Sequence, residues 1–391
     1  MRSARSACAI VALLIVVLSL IADASALVAV LLASIPCALA ALPSRWWNRP
    51  WLAIAALVLF ALAGVYLPAS RAFAQLPLEG RSAHWWALAL QCWCGAGISL
   101  AVLAGAAWML RLGGRWLGPV LALPTLLVAP LIGMPLMLLF PVHLVGTTPE
   151  TAPHQDVTVV GADGIALRAR LIEPDGAAHG LVVFTHGKAG WKERHAEIVG
   201  FLRGLGWAVL VWDLRGHGRS PPSACGHGPA EAEDLLRVWA AAQALRPDAP
   251  MVAYGISLGG AATLLAGDRL DGCRALIIEN AFAALDDLVE ANAPGPAAPV
   301  TRALCRLALG RWPREIRPLD APVLAAGPPL TLGISGDDRV IPPAHGERLA
   351  AACPRATVVR VPGARHVGLI DDQAWRQAVA QALAAAQAAG H

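Results

Sequence analysis

The hydrophobic rhythm of the chain changes near residue 150. Before that point, long apolar runs are broken by short segments carrying arginine; after it, short β-branched runs alternate with stretches whose apolar positions recur every three or four residues. A helix needs close to 20 apolar residues to cross about 30 Å of hydrocarbon. Five segments fit, at about 8–21, 24–42, 51–67, 85–110 and 116–142. Trp46, Trp47, Trp51, Trp85, Trp86, Trp108 and Trp116 stand at or near segment ends, where an indole suits the headgroup layer. The predicted architecture is an N-terminal α-helical transmembrane bundle over 1–150, followed by a water-facing domain over 151–391.

In that second part, strands are predicted over 156–160, 165–172, 181–185, 208–212, 251–254, 275–278, 330–334 and 356–361. Helices are predicted over 192–205, 231–245, 258–266, 344–352 and 371–388. Gly161-Ala162-Asp163-Gly164 joins the first two strands as a hairpin, its Asp-Gly end supplying the positive φ of a tight turn. The remaining βα alternation reads as a mostly parallel eight-stranded sheet with helices on both faces. The stretch 281–327 interrupts that alternation with Ala/Leu-rich helical pieces and several prolines.

Charge sharpens the division. Residues 1–150 hold eight arginines and three acids, whereas 151–391 hold 23 basic and 24 acidic groups, so the net charge of +4 arises entirely in the first part. The −1 balance of the second part gives no support for nucleic-acid binding. With five crossings, Arg2, Arg5, Arg45, Arg49, Arg111 and Arg115 share one side and only Arg71 and Arg81 the other, which by the positive-inside rule places the second domain outside the cytoplasm. The first segment, with Arg2, Arg5 and Ala24-Ser25-Ala26, also fits a cleavable signal peptide, the less favoured reading. Asp23 reads as the turn between two short helices, and Pro119, Pro124, Pro130, Pro135 and Pro141 as kinks in an anchoring segment rather than as a transport path.

Candidate chemistry is concentrated after the predicted strands. Gly255-Ile256-Ser257-Leu258-Gly259 follows an apolar strand and opens a small-residue helix, the G-x-S-x-G pattern in which glycines keep a sharp turn from crowding a raised hydroxyl. Phe184-Thr185-His186-Gly187-Lys188-Ala189-Gly190 follows the third strand and Asp213-Leu214-Arg215-Gly216-His217-Gly218-Arg219-Ser220 the fourth. Gly336-Asp337-Asp338-Arg339-Val340-Ile341-Pro342 follows the seventh, and Pro362-Gly363-Ala364-Arg365-His366 the eighth. In this order the four segments resemble the α/β-hydrolase superfamily, near the serine-aminopeptidase-like and membrane-associated serine hydrolases. The resemblance covers about residues 156–390 and none of the membrane part.

A serine hydroxyl at neutral pH is a poor nucleophile until an imidazole accepts its proton, and a carboxylate must orient that imidazole. The resemblance implies Ser257 as nucleophile and His366 as base. Of the two adjacent acids, Asp338 precedes Arg-Val-Ile-Pro as the family's acid does and is favoured over Asp337. The backbone N–H groups of Leu258 and Lys188 are expected to bind the oxyanion. Asp213-Leu214-Arg215 is expected to brace its loop rather than bind substrate, and 281–327 to form a small cap over the acyl pocket or a plain connecting excursion.

The expected activity is a membrane-anchored serine hydrolase acting on an ester, thioester or amide of a small or lipid-like acyl substrate, with no cofactor or metal required. The alternative is a non-catalytic sensor or transporter accessory domain, against which the presence of nucleophile, acid and base together argues. Eight cysteines divide four and four; Cys225, Cys273, Cys305 and Cys353 either pair, in an oxidising compartment, or remain buried thiols, and none has metal-site spacing. Cys92-Trp93-Cys94 reads as packing.

Overall fold

The computed structural model describes residues 152–389, apart from 222 and 293–296. The five predicted crossings and the signal-peptide alternative lie outside the described residues. Among the described residues, no helix is long and apolar enough to cross a membrane.

The domain is an eight-stranded sheet flanked by helices. The strands are β1 (His154–Val160), β2 (Ala166–Ile172), β3 (Leu181–Thr185), β4 (Ala208–Trp212), β5 (Met251–Ile256), β6 (Cys273–Glu279), β7 (Leu330–Ser335) and β8 (Thr357–Val361). The helices are α1 (Ala196–Gly204), α2 (Pro229–Leu245), α3 (Leu258–Ala266), α4 (Leu285–Asn292), α5 (Ala297–Leu309), α6 (Pro322–Ala325), α7 (Pro343–Ala352) and α8 (Gln373–Ala388). The spatial order is β1-β2-β4-β3-β5-β6-β7-β8, with β1–β2 and β2–β4 antiparallel and every other pair parallel.

The apolar runs of the central strands are buried on both faces, and alternation decides which face each residue serves. Leu181 and Val183 of β3, with Leu210 and Trp212 of β4, join Leu235, Val238 and Trp239 of α2, Leu264 of α3 and Leu349 of α7. Val182, Phe184, Val209 and Val211 point the other way, onto Ile198 and Leu202 of α1 and Trp375, Val379 and Leu383 of α8. Full burial of each large aliphatic side chain contributes about 1.5–3 kcal/mol.

Because β3 lies between β4 and β5, the chain goes out to one side after β3 and crosses back after β4. The carboxyl ends of β3 and β5 are therefore neighbours, Thr185 pairing with Gly255. That is the switch point where ligands of open α/β sheets bind.

Several boundaries differ from the sequence pattern, each for a local reason. The helix predicted from 192 begins at Ala196, because Lys192 is drawn into a turn where its backbone N and Nζ both donate to Asp213. Helix α2 begins at Pro229, two residues early: Pro229 suits the first helical position, and Glu231 reaches back to accept from Gly226 N and Gly228 N at 2.7 and 2.8 Å. Helix α8 begins at Gln373 because Asp372 caps it, accepting from Trp375 N. Strand β6 reaches Glu279, past the predicted end at 278.

The 281–327 stretch meets the core at both of its ends. Ala281 to Leu285 are buried at its start, and Val323 and Leu324 join the core at its end. The pairing option for Cys225, Cys273, Cys305 and Cys353 is corrected: all four are free thiols, and Cys225, Cys305 and Cys353 are fully buried.

Candidate active site

Ser257 sits between β5 and α3 with φ +55°, a left-handed conformation that costs a non-glycine residue energy and raises its side chain above the sheet edge. The flanking glycines are required by close approach. A Cβ on Gly255 would lie 2.5 Å from Gly259 O, and one on Gly259 2.2 Å from Thr185 O. The turn is pinned to the next strand by Ser257 N donating to Glu279 O at 2.8 Å.

His366 follows β8 and Asp338 follows β7, and the structure brings both to Ser257. His366 Nε2 lies 3.0 Å from Ser257 Oγ, and His366 Nδ1 lies 2.6 Å from Asp338 Oδ2. The other oxygen of Asp338 accepts from Val340 N and Ile341 N, each at 2.8 Å. A carboxylate offers only acceptors, so Nδ1 is the donor to Asp338 and Nε2 is the nitrogen that faces Ser257 Oγ. Asp337 is exposed, and its backbone N–H donates to Ala364 O. The turn after β7 thus leaves Asp337 in solvent and brings Asp338 inward.

The turn after β3 passes directly over Ser257. A Cβ on Gly187 would stand 3.1 Å from Ser257 Cβ. His186 shapes this turn: Nδ1 donates to Gly187 O at 2.7 Å and Nε2 accepts from Leu214 N at 3.1 Å. Burial lowers its pKa to about 3, so the ring is neutral and fit for those two roles. Lys188 follows, its side chain half-buried and its ammonium pushed below the ordinary lysine value by desolvation. Leu258 opens α3, and the first N–H groups of a helix have no partner within it.

The loop after β4 is a brace. Asp213 is fully buried and accepts from Lys192 N at 2.7 Å, Lys192 Nζ at 2.9 Å and Arg219 N at 3.0 Å, tying the loops after β3 and β4 together. Arg215 is held by Asp234 at 2.7 Å and Asp163 at 2.9 Å. These partners occupy the charges of Asp213 and Arg215.

One buried group was not singled out from the sequence. Glu279, at the end of β6, is buried, and its carboxylate accepts from Tyr254 Oη and from Trp375 Nε1 at 2.9 Å. Burial pushes its pKa up to about 7, against the lowering effect of those two hydrogen bonds. Its signal was an acid closing the otherwise apolar run Ala275-Leu276-Ile277-Ile278. Among the described residues, no three His, Cys, Asp or Glu side chains are grouped to hold a metal ion.

Residues 176–318 match the family model for serine aminopeptidase, S33. The chain is 31% identical over 218 residues to the uncharacterized protein Rv2307c of Mycobacterium tuberculosis, an alignment covering 54% of this chain and 72% of that one. The chain belongs to the serine-aminopeptidase-like α/β hydrolases. It is a serine hydrolase. A second relative, the monoglyceride lipase of Mus musculus, is 32% identical over 121 residues, covering 30% of this chain and 40% of the lipase. Among solved structures, the Pyrococcus furiosus esterase Pf2001 superimposes with a TM-score of 0.52 at 19% identity, covering 62% of this chain and 97% of the esterase. That likeness establishes the shared fold.

Proposed function

We propose that Ser257, His366 and Asp338 are the nucleophile, base and orienting acid of an esterase or lipase-like enzyme that works through an acyl-enzyme. The observation that carries this reading is the single imidazole lying 3.0 Å from Ser257 Oγ on one side and 2.6 Å from Asp338 Oδ2 on the other. Ser257 Oγ attacks the acyl carbonyl while His366 Nε2 takes its proton, and Asp338 stabilises the resulting imidazolium. The N–H groups of Leu258 and Lys188 hold the developing oxyanion. His366 returns the proton to the leaving alcohol, thiol or amine. A water molecule then repeats the sequence, with His366 as its base, to release the acid.

The substrate class follows from two supports. One of the relatives is a monoglyceride lipase, and the apolar segments of 1–150 would place the domain beside lipid. In this proposal those segments form a multi-pass membrane anchor, the hydrolase domain lies on the extracytoplasmic side, and a lipid-like acyl ester is the substrate. The sensor or transporter-accessory alternative would keep the fold without turnover.

Hydrolysis of esters, thioesters and peptides of graded acyl length by purified full-length protein tests the reading. Turnover of an ester or thioester that falls about 10⁶-fold in both Ser257→Ala and His366→Ala supports it; binding without turnover by the wild type favours the alternative. A single cysteine introduced at an exposed position beyond residue 151 in a cysteine-free background reports the side. Labelling by an impermeant maleimide in intact cells agrees with the proposed orientation, and protection contradicts it.

A further inference from the structure

The residue after β6 ties together segments that the proposed triad needs to keep in register. Asn280 is buried with φ +48°, in the left-handed region that asparagine tolerates better than most side chains. Its backbone N–H donates to Gly333 O of β7 at 3.1 Å. Its side-chain Oδ1 accepts from Ser335 N at 2.9 Å, and Nδ2 donates both to Ser335 Oγ and to the backbone carbonyl of His366, each at 2.9 Å. Ser335 ends β7, three residues before Asp338. The preceding residue, Glu279, supplies the carbonyl that accepts from Ser257 N. Two consecutive residues therefore touch the nucleophile turn, the exit of the acid's strand and the backbone of the base.

We infer that Asn280 is a positioning residue that sets the His366 imidazole between Ser257 and Asp338 by holding the His366 carbonyl to the end of β7. The inference rests on the proposed triad. The need for such a tie is visible in the loop itself: Gly363 and Gly368 bracket His366 with φ +76° and +121°, a backbone with little conformational restraint of its own. The imidazole must keep one nitrogen on the carboxylate and the other on the hydroxyl while protons move, and misplacement by about 1 Å can cost about 10²-fold in rate. An isosteric carboxylate could not replace the amide, because Nδ2 must donate to a carbonyl and a hydroxyl while Oδ1 accepts from an N–H.

The side chain's contribution separates from the backbone's in Asn280→Gly, which keeps the positive φ without strain. The measurements are kcat and KM on a water-soluble p-nitrophenyl ester and the rate of fluorophosphonate inactivation, all normalised to titrated active sites. Asn280→Gly is expected to lower kcat and the inactivation rate together by about 10- to 100-fold with KM little changed. Ser335→Ala removes the other partner of the same Nδ2 but leaves the bond to His366, and should stay within about threefold of wild type. If Asn280→Gly does not fold, Asn280→Asp keeps the acceptor for Ser335 N and the volume, loses both donors, and should show the same fall in kcat. Per-site rates in the Asn280 variants within about threefold of wild type would overturn the inference, as would an equal loss in Ser335→Ala. Labelling that persists in Ser257→Ala would instead strike the triad itself, so the two failures are distinguishable.

Discussion

Replacing Asp338 by asparagine changes only one atom type, and the structure says which way the new amide must face. Asp338 Oδ1 accepts from two backbone N–H groups, Val340 and Ile341, both at 2.8 Å. An amide NH2 placed there would set donor against donor twice, so the amide oxygen stays and the NH2 takes the position 2.6 Å from His366 Nδ1. That nitrogen must then accept, which moves the ring proton to Nε2. The imidazole now presents a donor to Ser257 Oγ where it must present an acceptor, and the imidazolium loses its counter-charge. The expected loss in kcat is about 10⁴-fold, or about 5.5 kcal/mol of transition-state stabilisation at 1.36 kcal/mol per decade. Asp337→Asn alters an exposed side chain and should stay within about twofold. Steady-state ester hydrolysis, normalised by active-site titration with folding checked by circular dichroism, is the assay. Comparable modest losses in both variants, or a larger loss in Asp337→Asn, would refute the tautomer argument.

Other consequences follow from the same coordinates. Glu279 holds its proton in the folded state up to about pH 7, whereas the unfolded chain loses it near 4.5, so this group's contribution to stability is complete below pH 4.5 and is lost as pH rises to 7. Glu279→Gln removes that titration, and its stability relative to wild type should climb between pH 4.5 and 7; a constant difference across that window contradicts the assignment. Lys192→Met leaves the buried Asp213 with backbone donors but no counter-charge, and should cost about 3 kcal/mol in denaturant unfolding of the domain; a loss below about 1 kcal/mol would mean the ion pair braces nothing. Gly259→Ala drives a methyl into the backbone oxygens of Thr185 and His186, 2.2 and 2.6 Å away, and should destabilise by about 3 kcal/mol or more; wild-type thermal stability would mean α3 is not seated against β3 as described.

The parts of the fold that were legible in the sequence are those where one residue pattern has one physical solution. Leu181-Val182-Val183-Phe184, closed by Thr185, and Ala208-Val209-Leu210-Val211-Trp212 are short, nearly continuous apolar runs, which suits a strand buried on both faces, and their limits match the pattern. Gly255 to Gly259 announced a turn where backbones meet. The carboxylate that meets His366 was readable only to within two adjacent positions, because which of Asp337 and Asp338 faces inward depends on the turn after β7 rather than on composition. The start of α1 was missed because its first predicted turn is claimed by a partner 21 residues away, Asp213. Glu279 and Asn280 carried little signal, since a polar pair closing a strand looks the same whether it faces water or a buried network. Their roles emerge only once β5, β7 and α8 surround them.

The most direct test of the account is where a covalent adduct forms. Full-length protein treated with a fluorophosphonate, then weighed intact and mapped by peptide mass spectrometry, should carry one adduct per chain, on the peptide containing Ser257, and the Ser257→Ala protein should carry none. An adduct that survives that substitution, or ester turnover that continues in it at the wild-type rate, would contradict the account.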